Sequence, residues 1–122
     1  MTKKELGEMG EKIALRFLLG QGYYLLAKNF NTNHGEIDLI MASSEKMMEV
    51  IFVEVKTRTN QNYGWPEVAV DQHKKSRMKY AAEEYLRQNK HSLYKNYRFD
   101  IMAVTINPSV KNGLIIEHFK NI

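Results

Sequence analysis

The segment from Gly35 to Arg58 constrains this chain more than any other. It reads Gly35-Glu36-Ile37-Asp38-Leu39-Ile40, a polar interval from Met41 to Glu49, then Val50-Ile51-Phe52-Val53-Glu54-Val55-Lys56-Thr57-Arg58. Short runs rich in Ile, Val and Phe, separated by turn-forming residues, predict two strands. Successive strand side chains point to opposite faces, so Glu54 and Lys56 share one face while Val53 and Val55 share the other. Asp38 interrupts an Ile-Leu-Ile run in the first strand. Charges set into core-forming segments need a partner, a metal ion or water, because burying one unpaired is costly. A carboxylate on one strand, with a carboxylate and a lysine two residues apart on its neighbour, is the arrangement that a Mg²⁺-dependent phosphodiesterase requires.

The totals fit such a reading without proving it. A chain of 122 residues makes one domain, spanning 1–122, and can bury a core. Lys plus Arg number 18 and Asp plus Glu 14, a net charge of +4 that permits nucleic-acid binding. The absence of cysteine excludes disulfides and thiolate metal sites and favours the cytoplasm. Met1 to Glu5 leads into a charged amphipathic segment, which predicts no signal peptide. No apolar run approaches the roughly 18 to 20 residues that span a bilayer, so no membrane partner is expected.

A first helix is predicted from Thr2 to about Gln21. Thr2 and Glu5 have the spacing of a capping box, and Gly20 to Gly22 ends the helix. Leu6, Gly10, Ile13, Ala14, Phe17 and Leu18 recur at helical spacing, and Glu11 falls inside the edge of that apolar arc. Tyr23 to Phe30 predicts a strand, and Asn31 to Gly35 a turn. The polar interval from Thr59 to Glu67 carries Tyr63 and the only tryptophan, Trp65, which either stacks on bases or folds back on the core. Val68 to about Asn89 predicts a second helix, whose buried stripe of Val70, Met78, Ala81, Ala82 and Tyr85 includes the cation Lys74. Strands follow at Arg98 to Ile106 and Gly113 to Phe119. The order α-β-β-β-α-β-β predicts an α/β fold: a mixed β-sheet with helices burying their apolar stripes against it.

The ordered set Gly7-Glu8-Met9-Gly10-Glu11, Gly35-Glu36-Ile37-Asp38, Phe52-Val53-Glu54-Val55-Lys56-Thr57-Arg58, Lys74 and Arg98-Phe99-Asp100 resembles the YraN-like family of small bacterial proteins. That family is similar to archaeal Holliday-junction resolvases and belongs to the PD-(D/E)XK endonuclease superfamily. The resemblance covers almost the whole chain and implies a restriction-endonuclease-like fold. It matches Asp38 to the superfamily's first-strand aspartate, Glu54 and Lys56 to its Glu-x-Lys pair, Glu11 to a helix-borne glutamate, and Lys74 to a basic residue on the second helix. Ile37 stands where the superfamily often has proline.

What this implies is a metal-dependent endonuclease acting on DNA, with branched or structured DNA suggested by analogy to resolvases. Mg²⁺ or Mn²⁺ would take oxygens from Asp38, Glu54 and the Val55 carbonyl, with Glu11 reaching the ion directly or through water. Lys56 would hold the attacking water or neutralise charge building on the phosphate. Lys74 and Arg58 are candidate phosphate contacts and Trp65 a candidate base contact. Such enzymes often act as homodimers, and an edge strand such as 113–119 could mediate the pairing. Taken singly, Glu54 and Lys56 read as a structural ion pair, Asp38 as a partner of Arg58 or Lys56, and Asp100 as a local salt bridge with Arg98. Two alternatives to catalysis stay open: a non-catalytic nucleic-acid-binding module, and an interaction protein within a DNA-processing assembly.

Overall fold

The computed structural model describes residues 1–43, 49–59, 72–89, 96–107, 111 and 113–122. Helix α1 runs Lys3–Gly20. Its start is the capping box read from the sequence: the Glu5 N–H donates to Thr2 Oγ1 at 3.1 Å, and Glu5 Oε1 accepts from the Thr2 N–H at 2.9 Å. Beyond its end, Gly22 takes a φ of 97°, a value that favours glycine.

Strands β1 (Tyr24–Thr32), β2 (Gly35–Ala42) and β3 (Glu49–Arg58) form an antiparallel meander. The β1–β2 turn is tighter than the sequence suggests, because Thr32 pairs with Gly35. Thr32 Oγ1 locks it, accepting from the His34 N–H at 3.2 Å and donating to the Gly35 carbonyl at 2.8 Å. Helix α2 occupies Gln72–Gln88. Strand β4 (Asn96–Ile106) pairs parallel to β3, and β5 (Leu114–Phe119) returns antiparallel along β4. The result is the expected mixed sheet, ordered β1-β2-β3-β4-β5. Val70, Trp65 and the start expected for the second helix at Val68 lie outside the described residues.

The helices cover opposite faces. Ala14 and Leu18 of α1 pack on Leu39, Met41, Ile51, Val53, Met102 and Val104. Ala81 and Ala82 of α2 pack on Ile37, Ile40, Val50 and Phe52, and Met78 packs on Ile101. Strands β2, β3 and β4, buried on both sides, read as near-continuous apolar runs, whereas β1 is a largely exposed edge. Among the described residues no helix is long and apolar enough to cross a membrane.

One buried polar cluster fastens the sheet. Asp100, 0% exposed, accepts from Arg98 Nε at 3.0 Å and from the Asn121 N–H at 2.9 Å, and His118 Nε2 lies 2.7 Å from its other oxygen. Arg98 also reaches Glu49 at 2.7 Å across the β3–β4 pairing and the Tyr23 hydroxyl at 3.0 Å. The sequence predicts the Arg98–Asp100 bridge; the links to Glu49, Tyr23 and His118 depend on tertiary structure. Burial alone would raise the Asp100 carboxyl, but His118, Arg98 and the Asn121 amide together hold it below its ordinary 3.8. The folded state thus binds this proton less readily than the unfolded state. Its stabilisation is present above the unfolded value and is lost as pH falls through the folded one.

Replacing Arg98 by Met should lower stability by about 3 kcal/mol, the lower end for breaking a buried pair, since His118 and Asn121 still reach Asp100. Denaturant titration of the variant beside wild type measures the loss.

Candidate active site

The site begins where two strands part. The β2–β3 ladder runs from Ala42–Val50 to Leu39–Val53 and stops, although both strands continue. Past that point the Val55 N–H is taken by a side chain instead of by the β2 backbone: it donates to Asp38 Oδ2 at 2.8 Å. Arg58, at the end of β3, places Nε 3.4 Å from Thr105 Oγ1.

Glu54 is 4% exposed, on the face covered by α2. Its Oε1 lies 3.0 Å from Lys74 Nζ and 3.9 Å from Lys56 Nζ. Lys74, expected as a phosphate contact, is here the nearer counter-ion of Glu54. Burial lowers the Lys74 pKa, but the hydrogen bond and charge of Glu54, with Asp38 and Glu36, outweigh it and leave the ammonium raised overall. Glu54 Oε2 is buried with no hydrogen-bond donor among the described residues. Such orphans are rare in native interiors.

Asp38 is the second member of the pair. Burial, then the charge of Glu54, push its pKa up to about 7, against the pull of the Val55 N–H and Lys74. Protonated, Asp38 can donate to Glu54; ionised, the two carboxylates repel at close range. Glu11, on α1, lies within reach of the Asp38 charge. Its pKa is raised by burial first, then by the charges of Asp38, Glu8 and Glu36, and is lowered by a hydrogen bond from the Asn29 side chain.

Two close approaches set these elements in place. A Cβ on Gly10 would fall 1.8 Å from Thr57 Oγ1, so α1 crosses β3 beside Lys56 and Arg58 with no room for a side chain. A Cβ on Gly35 would fall 2.0 Å from the Arg77 carbonyl oxygen, so α2 presses on β2 backbone to backbone. These contacts and Asn29 are absent from the sequence reading. The signals for them are thin: a buried-face glycine on a helix, a glycine opening a strand, and an asparagine inside a strand run.

The residues present suit a hard divalent cation better than a soft one. A buried oxygen without a donor beside a second, electrostatically strained carboxylate is a site that positive charge would relieve. Among the described residues no three His, Cys, Asp or Glu side chains gather to hold a metal, so the acids meet as a pair with Glu11 standing off. Mg²⁺ is commonly held by one or two carboxylates and keeps several waters, whereas structural zinc sites require four protein ligands. Trp65 lies outside the described residues.

These features define a mixed α/β protein with a paired-acid, two-lysine site at a strand fork. Residues 10–104 match the model of a family described as "Uncharacterised protein family UPF0102". A UPF0102 protein of Caldanaerobacter subterraneus is 40% identical over 121 residues, covering 99% of this chain and 96% of that one. One from Dictyoglomus turgidum is 40% identical over 108 residues, 88% of each chain. One from Alcanivorax borkumensis is 33% identical over 120 residues, covering 98% of this chain and 92% of that one. The chain belongs to the UPF0102 family, as its ordered motifs anticipated, and the matched span contains Glu11, Asp38, Glu54, Lys56 and Lys74.

Gly10→Ala should be strongly destabilising, because Thr57 must move. Gly7→Ala, where an added Cβ meets nothing within 4 Å, should be neutral or stabilising by up to about 1 kcal/mol. Thermal melts of the two variants separate a packing requirement from simple helix propensity.

The acid pair also sets a pH dependence. With Asp38 raised from 3.8 to about 7, the folded state holds this proton more tightly than the unfolded state. Metal-free stability should therefore fall as pH rises between those values, and Asp38→Asn should flatten that slope. Denaturation midpoints across the range give the comparison.

Proposed function

We propose that this chain is a metal-dependent endonuclease of the PD-(D/E)XK type, with a restriction-endonuclease-like fold, hydrolysing phosphodiester bonds in DNA. One contrast carries the reading. The sheet buries two carboxylates on neighbouring strands, on opposite faces. Asp100 has donors to both oxygens and a lowered pKa. Glu54 has an oxygen with no donor among the described residues, and its partner Asp38 is pushed up to about 7. A fully satisfied buried acid is structural; an unsatisfied one beside a perturbed acid marks a site that a ligand completes.

Asp38 and Glu54 would hold the ion, Mg²⁺ or Mn²⁺. Strand geometry turns the Val55 carbonyl to the same side as its N–H, which meets Asp38, so this oxygen is available as a further ligand. Glu11 approaches from α1. A bound divalent cation would supply Lewis acidity toward the scissile phosphate and a more acidic water.

Lys56 shares the face of Glu54 and orients the attacking water or neutralises charge gathering on the phosphate. Lys74 holds Glu54 Oε1, which would leave Oε2 to serve a bound cation, and an entering phosphate would compete with Glu54 for the ammonium. Arg58 lies one strand repeat beyond Lys56 on the same face of β3 and would serve as a phosphate contact. Branched or structured DNA is the proposed substrate, the cytoplasm the proposed location, and a homodimer the assembly that cuts two strands symmetrically.

Labelled linear, single-stranded, flap and four-way DNA should be cut with Mg²⁺ or Mn²⁺ and left intact with EDTA. Asp38→Asn and Glu54→Gln should each reduce cutting to the metal-free background while circular dichroism shows the fold retained. Undiminished cutting by either variant would remove its residue from the mechanism. Salt-sensitive binding without cutting by wild type would identify a binding module instead.

A further inference from the structure

We propose that Asn29 is a positioning residue that aims Glu11 of α1 at the Asp38–Glu54 pair, an inference that rests on reading the pair as a metal centre. The first observation is register. Lys28 pairs with Leu39 and Phe30 with Ile37, so Asn29 stands across from Asp38 on the neighbouring strand. The ladder skips that position.

The second observation is backbone conformation. Asn29 has a φ of 52° in the middle of β1, and among described non-glycine residues only Asn121 also has a positive φ. A side-chain-bearing residue in this region is uncommon, and asparagine tolerates it better than most. A backbone held there persists because its surroundings over-determine it, and such positions cluster at functional sites.

The third observation is what the side chain does. It stands near enough to the Glu11 carboxyl to act on it as a hydrogen-bond donor, against the burial and like charges that raise that acid. Glu11 sits half-buried among the charges of Asp38, Glu8 and Glu36, all of which repel it. Without a tether its carboxylate would turn toward solvent, away from the pair. The donor must be short enough to sit in the left-handed region and must bring N–H rather than a second acid. The asparagine amide meets both requirements. Glycine in its place would keep the kink and lose only the tether.

Mn²⁺ titration by electron paramagnetic resonance, with thermal melts, tests this on wild type, Asn29→Gly, Glu11→Gln, the double variant and Asp38→Asn. Asn29→Gly should keep the melting temperature and weaken Mn²⁺ binding by about 10-fold, the low end for residues that orient metal ligands. Glu11→Gln should lose a similar factor, and the double variant should bind no more weakly than either single, since both act through one carboxylate. Wild-type affinity in Asn29→Gly, or losses that add in the double variant, would overturn the assignment of Asn29 alone. Mn²⁺ binding by Asp38→Asn equal to wild type, or none by wild type, would overturn the metal-centre reading and this inference with it.

Discussion

The hydrogen bond from the Val55 N–H to Asp38 is the point on which the site depends. It satisfies a backbone donor that the β2–β3 ladder abandons, and in doing so it fixes an acidic side chain at the mouth of the fork. Backbone donors in a sheet interior are rarely left unpaired, so parting the two strands demands a substitute acceptor. A carboxylate fills that role and brings charge with it. Glu54, next along β3, is then held close to a like charge on one side and to Lys74 and Lys56 on the other. The fold therefore concentrates two acids and two bases where its own hydrogen bonding is incomplete.

The helices hold this arrangement by close approach rather than by charge. Gly10 lets α1 rest on Thr57, and Gly35 lets α2 rest on the Arg77 carbonyl. Each contact lies near the fork in sequence: Thr57 follows Lys56, and Gly35 precedes Asp38 by one and a half strand repeats. Glu11 is the residue after Gly10, so the tight crossing of α1 also determines how near that acid comes. Lys74 lies on the turn of α2 before Arg77 and is set by the other crossing. Packing at two glycines thus governs the electrostatics of the pair.

Much of this was legible in the sequence, for local reasons. The capping box of Thr2 and Glu5, the apolar runs of β2 to β4 and the helical spacing of Ala14 and Leu18 are properties of neighbouring residues, and they fixed the element order. The acids of the site were legible because charge inside an apolar strand is costly and so conspicuous. What stayed hidden depends on segments far apart in the chain. Nothing local shows that Lys74 reaches Glu54, or that Arg98 joins Glu49 and Tyr23 as well as Asp100. The positive φ of Asn29 was invisible for another reason: its surroundings read as an ordinary strand, and only pairing with β2 reveals that the ladder passes over it.

The parallel pairing of β3 with β4 has a consequence for how the molecule opens. The hairpins β1–β2–β3 and β4–β5 can each close locally, but the seam between them must wait for the whole excursion through α2. Glu49 with Arg98, and Phe52 with Phe99 at a ring separation of 5.6 Å, are the clasps across it. Glu54 lies on that seam, opposite Ile101. Parting of the strands there would admit water beside Asp38 and Glu54, weakening both the burial and the Glu54 charge that raise Asp38, and would return Asp38 toward its ordinary value. Amide exchange along the seam and the acidity of Asp38 would then respond to the same opening.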